Sequence, residues 1–212
     1  MLRESRFGSR YLKWVEEVPV PFLYHRALKP NHLSIIGLFF SLLTIPAYSY
    51  SLWLGGIGVL VSGAIDTVDG GLARKADHQT RSGAFLDSVL DRYSDFFAIF
   101  GIWLYFTFNS INNRQILITA LLFLFLTGSF LVSYSRARGQ GLGLSVEVGY
   151  FGRAERVITL GIGSIMSDLL IIIFSSQTWA VDHLFFIAIL LLLAVGTHLT
   201  ALKRILYLFR NL

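Results

Sequence analysis

Six apolar stretches follow one another along almost the whole of this 212-residue chain. They cover residues 31–53, 55–76, 83–108, 113–136, 152–175 and 180–208. Each has at least the ~20 residues that an α-helix needs to cross the ~30 Å hydrocarbon layer of a bilayer. Inside lipid the backbone polar groups must pair within the protein, and segments of this length do so as helices. The pattern predicts an all-α integral membrane protein with six transmembrane helices.

Composition excludes several other classes of protein. Charged residues make up 15% of the chain, against roughly 25% in soluble domains, and the mean hydropathy is +0.63. The absence of cysteine excludes a disulfide scaffold, a thiolate zinc site, an iron–sulfur cluster and a cysteine nucleophile. The net charge is +5, but no basic run is interleaved with aromatic residues, so we expect no nucleic acid partner.

The first 24 residues differ from the rest because charges recur every few positions. Apolar residues nevertheless recur there at helical spacing, at Phe7, Tyr11, Trp14 and Val18. This pattern predicts an amphipathic helix lying on the lipid headgroups, ended by the prolines that follow it. A solvated helix with one packed face is the alternative. We therefore divide the chain into a juxtamembrane helix, 1–24, and a membrane domain, 25–212.

The distribution of basic residues predicts the orientation. If both termini face one side, the loops on the other side contain Arg114 as their only basic residue, and Arg92 lies inside a span. The positive-inside rule then makes the first side cytoplasmic, which predicts an inner-membrane protein with cytoplasmic termini. Lys203, Arg204 and Arg210, near the end of the last span, are expected to snorkel to the interface.

Five aspartates interrupt the second and third apolar stretches. Asp66 and Asp69 are three residues apart, and Asp87, Asp91 and Asp95 follow at intervals of four, so each set lies on one face of its helix. A single carboxylate within a span costs about 2.5–3.5 kcal/mol. Only one arginine within the span can compensate them, which leaves divalent cations as the natural partner. Oxygen ligands without Cys or His favour Mg²⁺ or Mn²⁺, and the site should lie at the cytoplasmic side.

Glycines surround these acids. Gly63, Gly70, Gly71 and Gly83 all lie within one or two helical turns of an aspartate. Small residues there allow either close helix packing or a close approach of a ligand to the backbone. Arg74 lies four residues after Gly70 on the same helical face, which favours a phosphate bound between metal ions and a guanidinium group.

The residues between positions 66 and 91 form a recognisable motif. It reads Asp66-x2-Asp69-Gly70-x2-Ala73-Arg74-x8-Gly83-x3-Asp87-x3-Asp91. All eight fixed positions and their spacings resemble the signature of the CDP-alcohol phosphotransferase family. More loosely, the six spans and the N-terminal amphipathic helix resemble the membrane domain of that family.

The resemblance implies a reaction and a set of roles. A substituted phosphate would pass from a CDP-linked lipid, CDP-diacylglycerol or a diether equivalent, to an alcohol, with release of CMP. Asp66, Asp69 and Asp87 would hold one Mg²⁺ or Mn²⁺, and Asp66, Asp87 and Asp91 a second. Asp91 would also be the general base. The implied nucleotide contacts are Gly70, Ala73, Arg74 and Gly83, with Asn31 and Thr80 as weaker candidates; Asn31 is equally well interpreted as a helix cap. The resemblance also implies a homodimer.

A second basic cluster predicts the acceptor site. It comprises Ser133, Arg136, Arg138, Arg153 and Arg156. Several guanidinium groups fit an acceptor that is itself a phosphate monoester. The stretches around these residues resemble those of family members that use inositol phosphate, although Gly139-Gln140 departs from their pattern. Glycerol 3-phosphate, free inositol and serine stay open as acceptors, and the arginines can also be explained as cytoplasmic anchors.

Two other functions fit part of the pattern. A membrane prenyltransferase also holds magnesium pyrophosphate on aspartates, but with other spacings and more spans. A cation- or proton-coupled transporter also carries acids within the membrane, although it is expected to show inverted repeats and broken helices. Asp95 lies outside the family motif, and we expect it to hydrogen-bond a neighbouring helix or Arg92.

Overall fold

The computed structural model describes residues 6–26, 30–75, 80–109, 114–176 and 183–212. These residues form helices and no strand. In chain order the helices are α1 (Arg6–Glu17), α2 (Pro19–His25), α3 (Pro30–Tyr50), α4 (Leu52–Lys75), α5 (Arg81–Phe108), α6 (Gln115–Gly141), α7 (Arg153–Ile173) and α8 (Leu184–Asn211). The predicted all-α class is confirmed. As the prolines predicted, α1 ends before Pro19, and Pro19 then opens α2, because proline is tolerated in the first helical turn.

Among the described residues, five helices are long and apolar enough to cross a membrane: α3 from His32 onward, α4, α6, α7 and α8. Helix α5 has 28 residues, which is more than a bilayer requires. Its first half, however, carries Asp87, Asp91, Arg92 and Asp95, so its apolar part is shorter than in the other five. The structure thus supports an integral membrane protein with five clear candidate spans.

Close approaches between helices build the bundle. Helix α3 packs against α4 and α5, α4 against α7, and α6 against α8. A Cβ atom added to Gly56 would lie 2.6 Å from the carbonyl oxygen of Gly161, and one added to Gly101 would lie 3.0 Å from that of Ile45. Glycine at these positions lets the backbones approach closely, as is typical of helix packing in membranes.

The main core lies at the end of the bundle away from the four aspartates of the motif. It is centred on fully buried Tyr48, Phe106, Phe186 and Leu190, contributed by the end of α3, the end of α5 and the start of α8. A smaller cluster of Val15, Val20, Leu33 and Leu72 packs α1 and α2 onto the start of α3 and the end of α4. The acidic residues lie between these two apolar clusters.

The prediction that Arg204 snorkels is wrong. Its side chain is buried, its Nε donates to the carbonyl oxygen of Val148 at 2.9 Å, and its Nη1 donates to that of Val132 at 2.6 Å. The physical reason is that these two main-chain carbonyls, one in the segment before α7 and one in α6, offer acceptors inside the bundle. A buried guanidinium with such acceptors has no need to reach the interface.

Candidate active site

Three of the predicted metal ligands converge. One carboxylate oxygen each from Asp66 on α4 and from Asp87 and Asp91 on α5 lie within 4.8 Å of one another. The spacing of four residues places Asp87 and Asp91 one turn apart on α5, and the same face of that helix meets the C-terminal half of α4. Three oxygen ligands at these distances can share one divalent cation.

Asp69, the fourth predicted ligand, lies beside this trio. Its side chain is buried, and its Oδ2 accepts a hydrogen bond of 2.5 Å from the hydroxyl of Ser34 on α3. Its Oδ1 is buried with no hydrogen-bond partner among the described residues. A buried carboxylate oxygen without a partner is costly, and a cation would satisfy it. The oxygen-only donor set and this orphaned atom therefore fit Mg²⁺ or Mn²⁺.

Arg153 is the cation closest to these carboxylates. Its Nη1 donates to Asp66, and its Nη2 lies 2.9 Å from Oδ1 of Asp91. Arg92 also approaches Asp91, at 3.5 Å, while donating to the carbonyl oxygen of Ser88. Sequence reasoning placed Arg153 in the acceptor site but missed its contact with the acids. No local signal could show it, since 87 positions separate Arg153 from Asp66.

A second ion pair lies one helical turn deeper. Arg156 Nη2 donates to Asp95 Oδ2 at 3.1 Å. The expectation that Asp95 bonds a neighbouring helix is confirmed, and the helix is α7. Arg156, predicted as an acceptor ligand, has its guanidinium inside the bundle against a carboxylate.

The glycines near the acids divide into two groups. A Cβ atom on Gly63 would lie 2.7 Å from Val157, and one on Gly71 would lie 2.8 Å from Val20, so both serve helix packing. A Cβ atom on Gly70 would meet only Arg74 Nη1, at 3.6 Å, among the described atoms. Gly70 thus leaves open space next to a guanidinium, as a phosphate ligand requires.

The remaining nucleotide candidates belong to the end of α4, the start of α5 and the start of α3. Arg74 is about half exposed, and its Nη2 lies 3.4 Å from Glu16 of α1. Ala73 precedes it on the last turn of α4. Thr80 is the N-cap of α5, and its hydroxyl accepts a hydrogen bond of 3.0 Å from the main-chain N–H of Gly83. Asn31 lies in α3, but its side chain is outside the described residues.

The site opens into two adjoining cavities. The smaller is lined by the four aspartates of the motif together with Ser34 and Arg153. The larger is lined by Asp95, Arg153 and Arg156. It also carries the hydroxyls of Ser41, Thr44, Ser62 and Ser94. Arg153 lines both cavities.

The other predicted acceptor residues lie on the C-terminal turns of α6. Ser133 is half-buried, whereas Arg136 and Arg138 are exposed. Buried Arg204 lies near enough to Arg136 and Arg156 for their charges to act on it. Sequence reasoning missed this neighbour, because its position at the end of an apolar helix is also typical of an interfacial anchor.

A bundle of membrane-length helices that presents oxygen ligands beside arginines defines a membrane enzyme that acts on phosphate esters. The chain belongs to the CDP-alcohol phosphatidyltransferase family, whose model matches residues 27–208. The predicted enzyme class is therefore confirmed, and the prenyltransferase and transporter alternatives are set aside.

Relatives of this chain come from archaea and bacteria. It is 35% identical over 187 residues to the archaetidylinositol phosphate synthase of Methanothermobacter thermautotrophicus, which covers 88% of this chain and 86% of the relative. It is 34% identical over 142 residues to the phosphatidylinositol phosphate synthase of Streptomyces avermitilis, covering 65% of this chain and 56% of the relative.

Solved structures show the same fold. The phosphatidylinositol phosphate synthase of Mycobacterium tuberculosis with CDP-DAG bound superposes with a TM-score of 0.76 at 26% identity, covering 93% of this chain and 94% of the other. The structure of that enzyme in complex with manganese and citrate has the same TM-score and identity, covering 92% and 88%.

Proposed function

We propose that this enzyme transfers the phosphatidyl group of CDP-diacylglycerol, or of a diether analogue, to inositol phosphate and releases CMP. The observation that carries the proposal is Arg153, a guanidinium group placed directly beside the acidic trio. An acceptor that is itself a phosphate needs such a group next to the reacting centre. The names of the archaeal and bacterial relatives support the same acceptor.

Divalent cations form part of the proposal. Asp66, Asp69, Asp87 and Asp91 would hold two ions, Mg²⁺ or Mn²⁺, in the smaller cavity. When bound, such ions neutralise the pyrophosphate of the donor and stabilise the negative charge of the leaving CMP. The manganese in the mycobacterial structure supports a metal-dependent site in this family.

The chain's own residues then bind the donor and move one proton. Arg74 would bind the pyrophosphate, while Gly70 and Ala73, with Gly83, Thr80 and Asn31 nearby, would admit the cytidine phosphates. Asp91 would accept the proton of the acceptor hydroxyl while the hydroxyl oxygen bonds to the lipid-linked phosphorus. The bond between that phosphorus and the CMP oxygen breaks in the same transfer.

The acceptor phosphate would lie among Arg153, Ser133, Arg136 and Arg138. Arg153 is the first residue of α7, and the other three residues belong to the second half of α6. The acceptor would therefore bind between the last turns of α6 and the first turn of α7. Arg156 is already paired with Asp95. Glycerol 3-phosphate, free inositol and serine are the competing acceptors.

The membrane arrangement completes the proposal. Helix α5 would be the sixth span, because its apolar second half packs into the main core through Phe106. Helix α1 would lie on the headgroups, since its aromatic side chains Tyr11 and Trp14 are exposed. Both termini and the site would face the cytoplasm at the inner membrane. A homodimer is also proposed, to be checked by cross-linking in membranes.

The test is CMP release by the purified protein in detergent with CDP-diacylglycerol and Mg²⁺. Inositol phosphate, inositol, glycerol 3-phosphate and serine are each supplied with and without chelator. We expect release only with inositol phosphate and only without chelator. Asp91→Asn should be inactive, whereas the matched control Asp168→Asn, at the opposite end of the bundle, should be active. Release with another acceptor would overturn the assignment of the alcohol, and metal-independent release would overturn the metal site.

A further inference from the structure

Two ion pairs connect α5 to α7 in a ladder. The upper pair joins Asp91 to Arg153 at 2.9 Å, and the lower joins Asp95 to Arg156 at 3.1 Å. The aspartates are four residues apart on α5 and the arginines three residues apart on the first turn of α7, so both pairs lie on the same two helical faces. Of these four residues, only Asp91 belongs to the family motif and to the acidic trio.

The two pairs differ in burial. The side chains of Arg153 and Asp91 are 23% and 16% exposed, and Arg153 also reaches Asp66, which is 32% exposed. Arg156 is 3% exposed and Asp95 is 13% exposed. Both members of the upper pair line the smaller cavity beside the acidic trio, whereas Asp95 and Arg156 line only the larger cavity and Arg156 is almost fully buried. A buried charge pair holds its geometry tightly, because losing either partner leaves an unpaired charge inside the protein.

The first turn of α7 has a further fixed contact next to Arg156. Val157 packs against Gly63 of α4, where a Cβ atom would lie 2.7 Å from the valine side chain. Arg156 thus fixes this turn to α5 while Val157 fixes it to α4. Arg153 lies one turn earlier, at the first residue of α7, where no preceding helical turn restrains it.

We propose that Asp95 and Arg156 are positioning residues: their largely buried ion pair fixes the first turn of α7 and thereby places Arg153 to bind the acceptor phosphate. This inference rests on the proposed function for the identity of the acceptor. Asp95 and Arg156 need not touch the donor, the metal ions or the reacting atoms. The pair therefore acts on acceptor binding and leaves donor and metal binding unchanged.

The kinetic test uses Asp95→Asn, Arg156→Met, Arg156→Lys and the double variant Asp95→Asn/Arg156→Met. A displacement of about 1 Å at a positioning group can lower the reaction rate by up to about 100-fold. We expect the KM for inositol phosphate to rise about 10- to 100-fold in the first two variants. The KM for CDP-diacylglycerol and the Mn²⁺ affinity should stay within about twofold, a change too small for a lost contact. Arg156→Lys should recover part of the loss, and the double variant should be no worse than the poorer single one.

Exposed Glu147→Gln and Arg210→Lys are the matched controls for removing or exchanging a charge, and both should behave as the unmodified chain. An unchanged KM for inositol phosphate in folded Asp95→Asn would overturn the proposal. Equal losses in donor, metal and acceptor binding would also overturn it, because they indicate general damage to the fold.

A second measurement does not depend on activity. The chain has no cysteine, so spin labels can be attached uniquely after Ala154→Cys on α7 and Phe108→Cys at the far end of α5, both at exposed positions. We expect a narrow distance distribution that broadens or shifts in Arg156→Met but not in Arg210→Lys. An unchanged distribution in Arg156→Met would contradict the positioning role. Failure of the proposed function would appear separately, as no CMP release with inositol phosphate by the unmodified chain.

Discussion

The two ends of the bundle use the same helices for opposite purposes. At one end, Tyr48, Phe106 and Phe186 are completely buried, and the only polar group of Tyr48 meets the hydroxyl of Ser164 at 3.0 Å. At the other end, three carboxylates lie within 4.8 Å of one another, with arginines close by. Like charges at that distance oppose folding, whereas the apolar end favours it. One half of α5 therefore supplies stability, and the other half supplies chemistry.

The largest expected effect comes from the acidic end. Asp91→Asn should lower CMP release by about 10²- to 10⁴-fold, since the proton acceptor is lost. The unfolding temperature should not fall, because one of three crowded charges is removed. Turnover assays and thermal unfolding in detergent check both. Normal turnover in this variant would mean that the base is another residue.

The apolar end should respond in the opposite way. Phe106→Ala leaves a cavity in the main core and should lower the free energy of unfolding by about 3 kcal/mol. Below the unfolding temperature, the KM values for donor and acceptor should be unchanged. Phe123→Ala, on an exposed face of α6, is the control and should lose much less stability. A changed KM in Phe106→Ala would show that the two ends are not independent.

Metal ions should stabilise the acidic end alone. Mn²⁺ at 100 times its dissociation constant should raise the free energy of unfolding by about 2.7 kcal/mol for each ion bound. Phe106→Ala should keep this gain, whereas Asp66→Asn should lose most of it, as measured by thermal unfolding with and without chelator. An equal gain in unfolding free energy in the unmodified chain, Phe106→Ala and Asp66→Asn would mean that the ions bind elsewhere.

Removal of the candidate pyrophosphate ligand should have a smaller effect. Arg74→Gln deletes one charge-assisted contact and should raise the KM for the CDP-linked donor about tenfold. The KM for inositol phosphate should be unchanged, which separates the donor side of the site from the acceptor side. A rise in the acceptor KM instead would reverse the assignment of the two sides.

The smallest effect is expected at the surface. Glu16 and Arg74 form an ion pair at 3.4 Å in which both side chains are about half exposed. Glu16→Gln should therefore change the free energy of unfolding by less than about 1 kcal/mol. A larger loss in a thermal scan would mean that α1 is fixed to the bundle mainly through this pair.

Local patterns predicted much of this molecule and failed where contacts are distant in the chain. The apolar stretches predicted the helices, and the spacing of Asp87 and Asp91 predicted the face that meets Asp66. The same spacing rule could not separate Asp69 from the trio, because its hydroxyl partner, Ser34, belongs to another helix. Periodicity describes which residues share a face but not which helix that face will meet.

The arginines show the limit most clearly. The sequence predicted Arg153 and Arg156 as acceptor ligands and Arg204 as an interfacial anchor, in each case from a cation near a helix end. In the structure Arg153 contacts the carboxylates of the site, and Arg156 is buried against Asp95. Arg204 donates to two main-chain carbonyls. These differences follow from the packing of α7 and α8 against their neighbours, which no single-helix pattern contains.

The acids of α4 and α5 are proposed to form one site for two divalent cations. A titration of the purified protein with Mn²⁺, followed by the electron paramagnetic resonance of the free ion, tests this site alongside Asp66→Asn. We expect two saturable ions per chain, and loss of tight binding in the variant because Asp66 contributes to both positions. Undiminished binding by Asp66→Asn, or no saturable binding by the unmodified chain, would contradict it.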